Sequence, residues 1–67
     1  MPFVSIRILA GHSRERKDRM AARVTEAIGE ETGLPAEAIW VVFEEVAAED
    51  WHVGGRSVAE RRRTGGG

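Results

Sequence analysis

Apolar and polar residues alternate over two short stretches of this chain, and between them apolar residues recur at helical spacing. Val4, Ile6 and Ile8 fall on every second position, opposite Phe3, Ser5, Arg7 and Leu9, which predicts a strand over 3–9. The first set is uniformly aliphatic and should face the core. The second is mixed, as suits a face lining a pocket or a subunit contact. Ser13 then stands as the N-cap of a helix over 14–32. Its apolar stripe is Met20, Val24, Ala27 and Ile28 with Ala21 beside them, and Glu15 and Arg19 are placed to pair four residues apart. Gly29 weakens the last turns, Gly33 is positioned as the left-handed C-cap, and Pro35 prevents continuation.

The stretch 35–38 fits one short turn. In the strand predicted over 39–45, Ile39, Val41, Phe43 and Glu45 alternate against Trp40, Val42 and Glu44. Strand, helix and strand in this order make a βαβ unit with parallel strands and a right-handed crossover, an α+β subunit. Beyond it, 46–50 reads as a loop and 51–55 as an extended segment ending in a Gly-Gly turn. Ser57 is placed to cap a last helical turn through Val58 and Arg61. The chain is predicted to be a single domain over 1–63 with a flexible Gly-rich tail over 64–67.

Size changes the picture more than composition does. The 67 residues contain no cysteine, and the two histidines, His12 and His52, are too few for a metal cluster. A chain this short buries only about 60% of the surface it exposes when unfolded. Disulfides and metal are excluded as remedies, which leaves oligomerisation. Two strands and one helix also leave both sheet edges open, so a dimer is the least assembly the sequence calls for. The net charge of −1 gives no field to steer nucleic acid. Arg61, Arg62 and Arg63 have no interleaved aromatic residues and read as a solvated helix end. No membrane-length apolar run or export signal is seen, and the expected location is cytoplasmic.

Pro2 is the candidate for chemistry. If Met1 is removed, its nitrogen becomes a chain-terminal secondary amine with a free lone pair and a ring that fixes its direction. An ordinary α-amino group titrates at about 7.7–8.0, and an apolar pocket or a nearby cation lowers that value. A neutral base near pH 7 suits the transfer of protons to and from carbon. With Met1 attached the nitrogen is an amide and has no such basicity.

Pro2 heading an amphipathic strand, Gly11-x-Ser13 opening the helix, Thr32-Gly33-x-Pro35 before the second strand and Trp51-x-Val53-Gly54-Gly55 after it together resemble the 4-oxalocrotonate tautomerase family. The match runs from Pro2 to about Gly55. The resemblance implies subunits assembled as dimers, most often a homohexamer built as a trimer of dimers, with pockets drawn from more than one subunit. It implies Pro2 as the general base and acid of an enol–keto isomerase working without cofactor on a small 2-oxo acid. Relatives of the best-known type bind substrate carboxylates with two arginines and make the pocket apolar with an aromatic residue. Trp51 fills the aromatic position, but His12 and Trp40 stand where the arginines would be.

Arginine is a permanent forked cation; an imidazole is charged only part of the time near neutrality, and an indole never. A site with Pro2 as base and His12, Trp40 and Trp51 as substrate-binding residues is therefore less cationic and more aromatic. It favours a monocarboxylate or an aryl enol over a linear dicarboxylate. Arg7 and Arg56 are the candidates for substitute carboxylate ligands. Val53 stands where water-adding relatives carry an acid, which argues against that chemistry. Two alternatives follow: a member repurposed for another proline-dependent step in a catabolic or biosynthetic pathway, or a non-catalytic partner subunit of a hetero-oligomer.

Overall fold

The computed structural model describes residues 2–65. Strand β1 (Phe3–Leu9) is followed by helix α1 (Arg14–Thr32), a single 3-10 turn (Ala36–Ala38) and strand β2 (Trp40–Val46). A second 3-10 turn (Ala48–Asp50) leads to a hairpin of two short strands, β3 (His52–Val53) and β4 (Arg56–Ser57), and then to helix α2 (Val58–Arg63). The β-α-β subunit with parallel strands and a C-terminal hairpin is as the sequence predicts. β1 and β2 pair in parallel, with Phe3 opposite Trp40, Ile6 opposite Phe43 and Leu9 opposite Val46.

The α1 boundaries agree with the sequence reading because both caps are explicit. Ser13 Oγ accepts a hydrogen bond from the Arg16 N–H at 3.1 Å. Gly33 takes the left-handed conformation at φ 77° and donates its N–H to the Gly29 carbonyl at 2.8 Å. Lys17, Met20, Ala21, Val24, Thr25, Ile28 and Gly29 form the half-buried stripe, while Ala27 is exposed. Ala27 lies seven residues from Met20, so it has rotated past the edge of the contact, and Thr25 and the Lys17 stem take its share. The four-apart ion pair of this helix is Arg14–Asp18 at 3.8 Å rather than Glu15–Arg19.

Two further differences lie after the helix. β2 starts and ends one residue later than the alternation suggests, because Ile39 closes the preceding turn through its N–H to the Ala36 carbonyl at 3.0 Å. Val46 extends the ladder by accepting from the Ala10 N–H at 2.9 Å, so the predicted loop shrinks and Ala48–Asp50 winds into a turn. Gly54 and Gly55, at φ 63° and 85°, form the two-residue hairpin turn whose twist matches the flanking strands. Ser57 caps α2 by accepting from the Glu60 N–H at 3.0 Å, and α2 runs six residues, longer than the single turn expected. Thr64 and Gly65 continue its bonding to the Glu60 and Arg62 carbonyls. The rest of the expected mobile tail, Gly66 and Gly67, lies outside the described residues, as does Met1.

The core sits between α1 and one face of the sheet. Ile39, 7% exposed, is the one buried hydrophobic residue among those described; Val4, Ile6, Ile8, Val41 and Phe43 beside it are half-buried. On the other face Phe3, Trp40 and Val42 are 65%, 53% and 42% exposed. The chain exposes 5044 Å², against about 4,200 Å² for a compact monomer of its mass. Its radius of gyration is 15.4 Å, against about 11 Å for a compact domain of this length. One chain therefore covers one face of its sheet and leaves the other bare.

Candidate active site

Pro2 is half-buried at the head of β1. Its carbonyl accepts the Trp40 N–H at 3.0 Å, which extends the parallel ladder by one bond and ties the Pro2 backbone to the start of β2. Phe3 and Trp40, opposite one another on the bare face, bring their rings to 6.5 Å at a 49° tilt. Pro2 is thus the chain neighbour of an aromatic, weakly polar surface, while strand alternation places it on the side of Val4 and Ile6.

The other sequence-predicted residues lie at the opposite end of the sheet. His12 follows β1, just before α1, and Trp51 follows β2 and the Ala48–Asp50 turn. Six strand steps of about 3.3 Å separate the two ends, roughly 20 Å. A single chain therefore brings Pro2 to Trp40 and leaves His12 and Trp51 far from both. His12 Nδ1 lies 3.3 Å from Arg16 Nη1. The guanidinium can only donate, so Nδ1 is the acceptor in this contact.

Trp51 is held from both sides of its backbone. Its N–H donates to the Ala48 carbonyl at 3.4 Å and its carbonyl accepts from the Val58 N–H at 2.8 Å. The half-buried Trp51 lines an open groove of about 460 Å³ together with Arg7, Val46, Asp50 and His52. Arg7 reaches across the sheet to Glu44, Nη2 to Oε1 at 3.0 Å. Arg56 is instead paired with Glu60 at 3.6 Å, so of the two substitute cations only Arg7 lines this groove.

The sequence reading did not place His52 or Asp50 here and did not anticipate the Glu44 contact. The signal for the last was present: alternation puts Arg7 and Glu44 on the same face, and only the strand register was missing. Among the described residues no cluster of three or more metal-ligating side chains occurs, and no helix is long and apolar enough to cross a membrane.

With this geometry in hand, the relatives are informative. The family model described as "Tautomerase enzyme" matches residues 2–61. The 2-hydroxymuconate tautomerase of Bacillus subtilis is 35% identical over 60 residues, covering 90% of this chain and 97% of that one. The crystal structure of TomN, a 4-oxalocrotonate tautomerase homologue in the tomaymycin biosynthetic pathway, superposes with a TM-score of 0.89 at 42% identity. That match covers 92% of this chain and 95% of TomN. A heterohexamer 4-oxalocrotonate tautomerase from Chloroflexus aurantiacus gives 0.84 at 32% identity over 90% of this chain and 97% of that chain. A β-α-β subunit with a proline at the head of its first strand, matched along nearly its whole length, belongs to the 4-oxalocrotonate tautomerase family and is an isomerase of the tautomerase superfamily.

Proposed function

We propose that this chain interconverts the enol and keto forms of a small 2-oxo acid, with Pro2 as proton carrier once Met1 has been removed. The observation that carries the reading is the seating of Pro2: half-buried at the head of β1 and tethered through its carbonyl to the N–H of Trp40. A free amine there has part of its solvation stripped, which disfavours the charged form. The Pro2 lone pair takes the enol hydroxyl proton and leaves an enolate. As the oxygen's electrons then form the carbonyl, the electrons of the carbon–carbon double bond take the proton from the Pro2 nitrogen, making the new C–H bond. Atoms and charge balance within substrate and protein, and no cofactor is needed.

The separation of the sheet ends supports a pocket built from more than one subunit, with the Trp51 and His12 end of one chain meeting the Pro2 and Trp40 end of another. The bare face of Phe3, Trp40 and Val42 supports the same assembly, a homo-oligomer of at least two chains and, by likeness to its relatives, a hexamer. The reading takes the enzyme as cytoplasmic, acting on a diffusible substrate. His12 and Trp40 in place of two arginines favour a monocarboxylate or aryl enol.

The test is mass spectrometry of the mature N-terminus together with ketonisation of 2-hydroxymuconate and of the enol of phenylpyruvate. Pro2→Ala, which keeps a primary amine, should lose at least 100-fold in turnover, within the 10²–10⁴ typical of a positioned general base. Unchanged turnover, or a mature chain that retains Met1, would remove Pro2 as the base.

A second reading is favoured by one specific observation. The 42% identity to TomN, a protein of a biosynthetic pathway, supports a member repurposed for another proline-dependent step. Proton exchange on aryl enols with none on 2-hydroxymuconate would favour it. A free Pro2 that exchanges no proton on either enol until a second chain is added would instead make this a non-catalytic partner subunit.

A further inference from the structure

We propose that Arg7, held in place by Glu44, is the carboxylate-binding residue of the groove it shares with Trp51 and His52, and that this groove takes a monocarboxylate bearing a flat apolar group. The inference rests on the reading of this chain as a 2-oxo acid tautomerase and identifies what stands in for the two arginines it lacks. A guanidinium has five N–H donors in a planar fork. Glu44 engages one nitrogen, at 3.0 Å, and the Arg7 side chain remains 69% exposed. The contact steers the guanidinium without using up its donors, so the remaining N–H groups are free to grip a carboxylate.

The neighbouring groups specify the rest of the ligand. Trp51 and Val46 supply apolar wall, and His52 adds a ring nitrogen at the rim. Asp50 lines the same groove. Arg7 attracts one carboxylate, whereas Asp50 repels a second, so the charge pattern selects a monoanion over a dianion. Arg7 is the one arginine or lysine among the residues that line this groove. Arg16 lies against His12, Lys17 is paired with Glu45 at 2.9 Å on the helix-facing side, and Arg56 with Glu60 on the hairpin. A volume of about 460 Å³ falls in the range of small-molecule sites.

Calorimetric titration with 3-phenylpropanoate and with its uncharged amide, neither of which can enolise, tests the assignment independently of turnover. Arg7→Gln should weaken binding of the acid at least tenfold and leave the amide within twofold, with the oligomeric mass unchanged by light scattering. Arg7→Lys, which keeps the charge but not the fork, should fall between, and decides the matter if Arg7→Gln does not assemble. Asp50→Asn should improve binding of adipate more than binding of 3-phenylpropanoate. Equal losses for acid and amide, no loss for either, or no binding by the wild-type protein would overturn the assignment. Wild-type protein that ketonises enols while Arg7→Gln shows no acid-specific loss sinks Arg7 alone. Acid-specific loss in a protein that turns over no enol sinks Pro2 alone.

Discussion

The two faces of the β1–β2 sheet carry comparable apolar residues and meet very different fates. On the α1 side, Val4, Ile6, Val41 and Phe43 are half-buried and Ile39 is buried. On the other side Phe3, Trp40 and Val42 lie open, interleaved with Ser5 and the Arg7–Glu44 pair. The covered face is one a single chain completes, and its residues answer to packing. The bare face also presents Phe3, Trp40 and Arg7, so if the proposed site is right, whatever covers this face must leave room for a ligand. On that proposal, packing and chemistry are divided between the two sides of one two-stranded ladder.

The largest expected effect comes from charging the bare face. Val42→Asp places a carboxylate, at 42% exposure in the isolated chain, between Trp40 and Glu44 on the surface proposed to join subunits. Burying an unpaired charge is severely unfavourable, so the variant should fall to monomer mass in light scattering. It should also lose helical circular dichroism, because among the described residues a lone chain has only Ile39 buried to hold it. Retention of both mass and thermal midpoint would break the comparison, since the bare face would then be bare in solution as well.

A smaller effect is expected on the covered face. Ile39 is the side chain most enclosed by α1 and the preceding turn, with its Cδ1 close to Gly29. Ile39→Ala should cost about 2–4 kcal/mol, the usual range for truncating a buried aliphatic side chain, read by denaturant unfolding at fixed protein concentration. The oligomeric mass at low denaturant should be unchanged. A shift of the mass equilibrium without loss of stability would mean Ile39 serves the interface and the two faces are not separate.

Much of this architecture was legible in the sequence because its signals are local. Ser13 and Gly33 bound α1 by hydrogen bonds made within a few residues, and period-two alternation identifies the faces of both strands without any knowledge of their partners. Gly54-Gly55 marks the hairpin for the same reason. The candidate site was less legible, because its contacts depend on strand register rather than on local pattern. Arg7 and Glu44 are 37 residues apart in the chain and touch because β1 and β2 pair in one particular alignment. Trp51 is recognisable as an aromatic in a Gly-rich segment, but the Ala48–Asp50 turn that aims it arises from Ala-Glu-Asp, which carries no strong turn signal. The distance between Pro2 and Trp51 is a property of strand length, which no local motif records.

The smallest effect tests how complete the packing on the covered face is. Gly29 lies within α1, where glycine costs roughly 0.5–1 kcal/mol relative to alanine through lost backbone entropy. A methyl group there would meet the Leu34 carbonyl oxygen at 3.4 Å and Ile39 Cδ1 at 3.7 Å, both ordinary contact distances. Gly29 is helical, so alanine meets no conformational penalty. Gly29→Ala should therefore stabilise the protein by about 0.5–1 kcal/mol, with turnover and oligomeric mass unchanged, as the added methyl touches only helix-side groups. Destabilisation would mean that Leu34 and Ile39 cannot yield a few tenths of an ångström and that this face is packed to its limit. A change in turnover at constant stability would instead mean that strain on the α1 side reaches Pro2 through Trp40, the residue after Ile39, and that the division between the faces is weaker than their exposure implies.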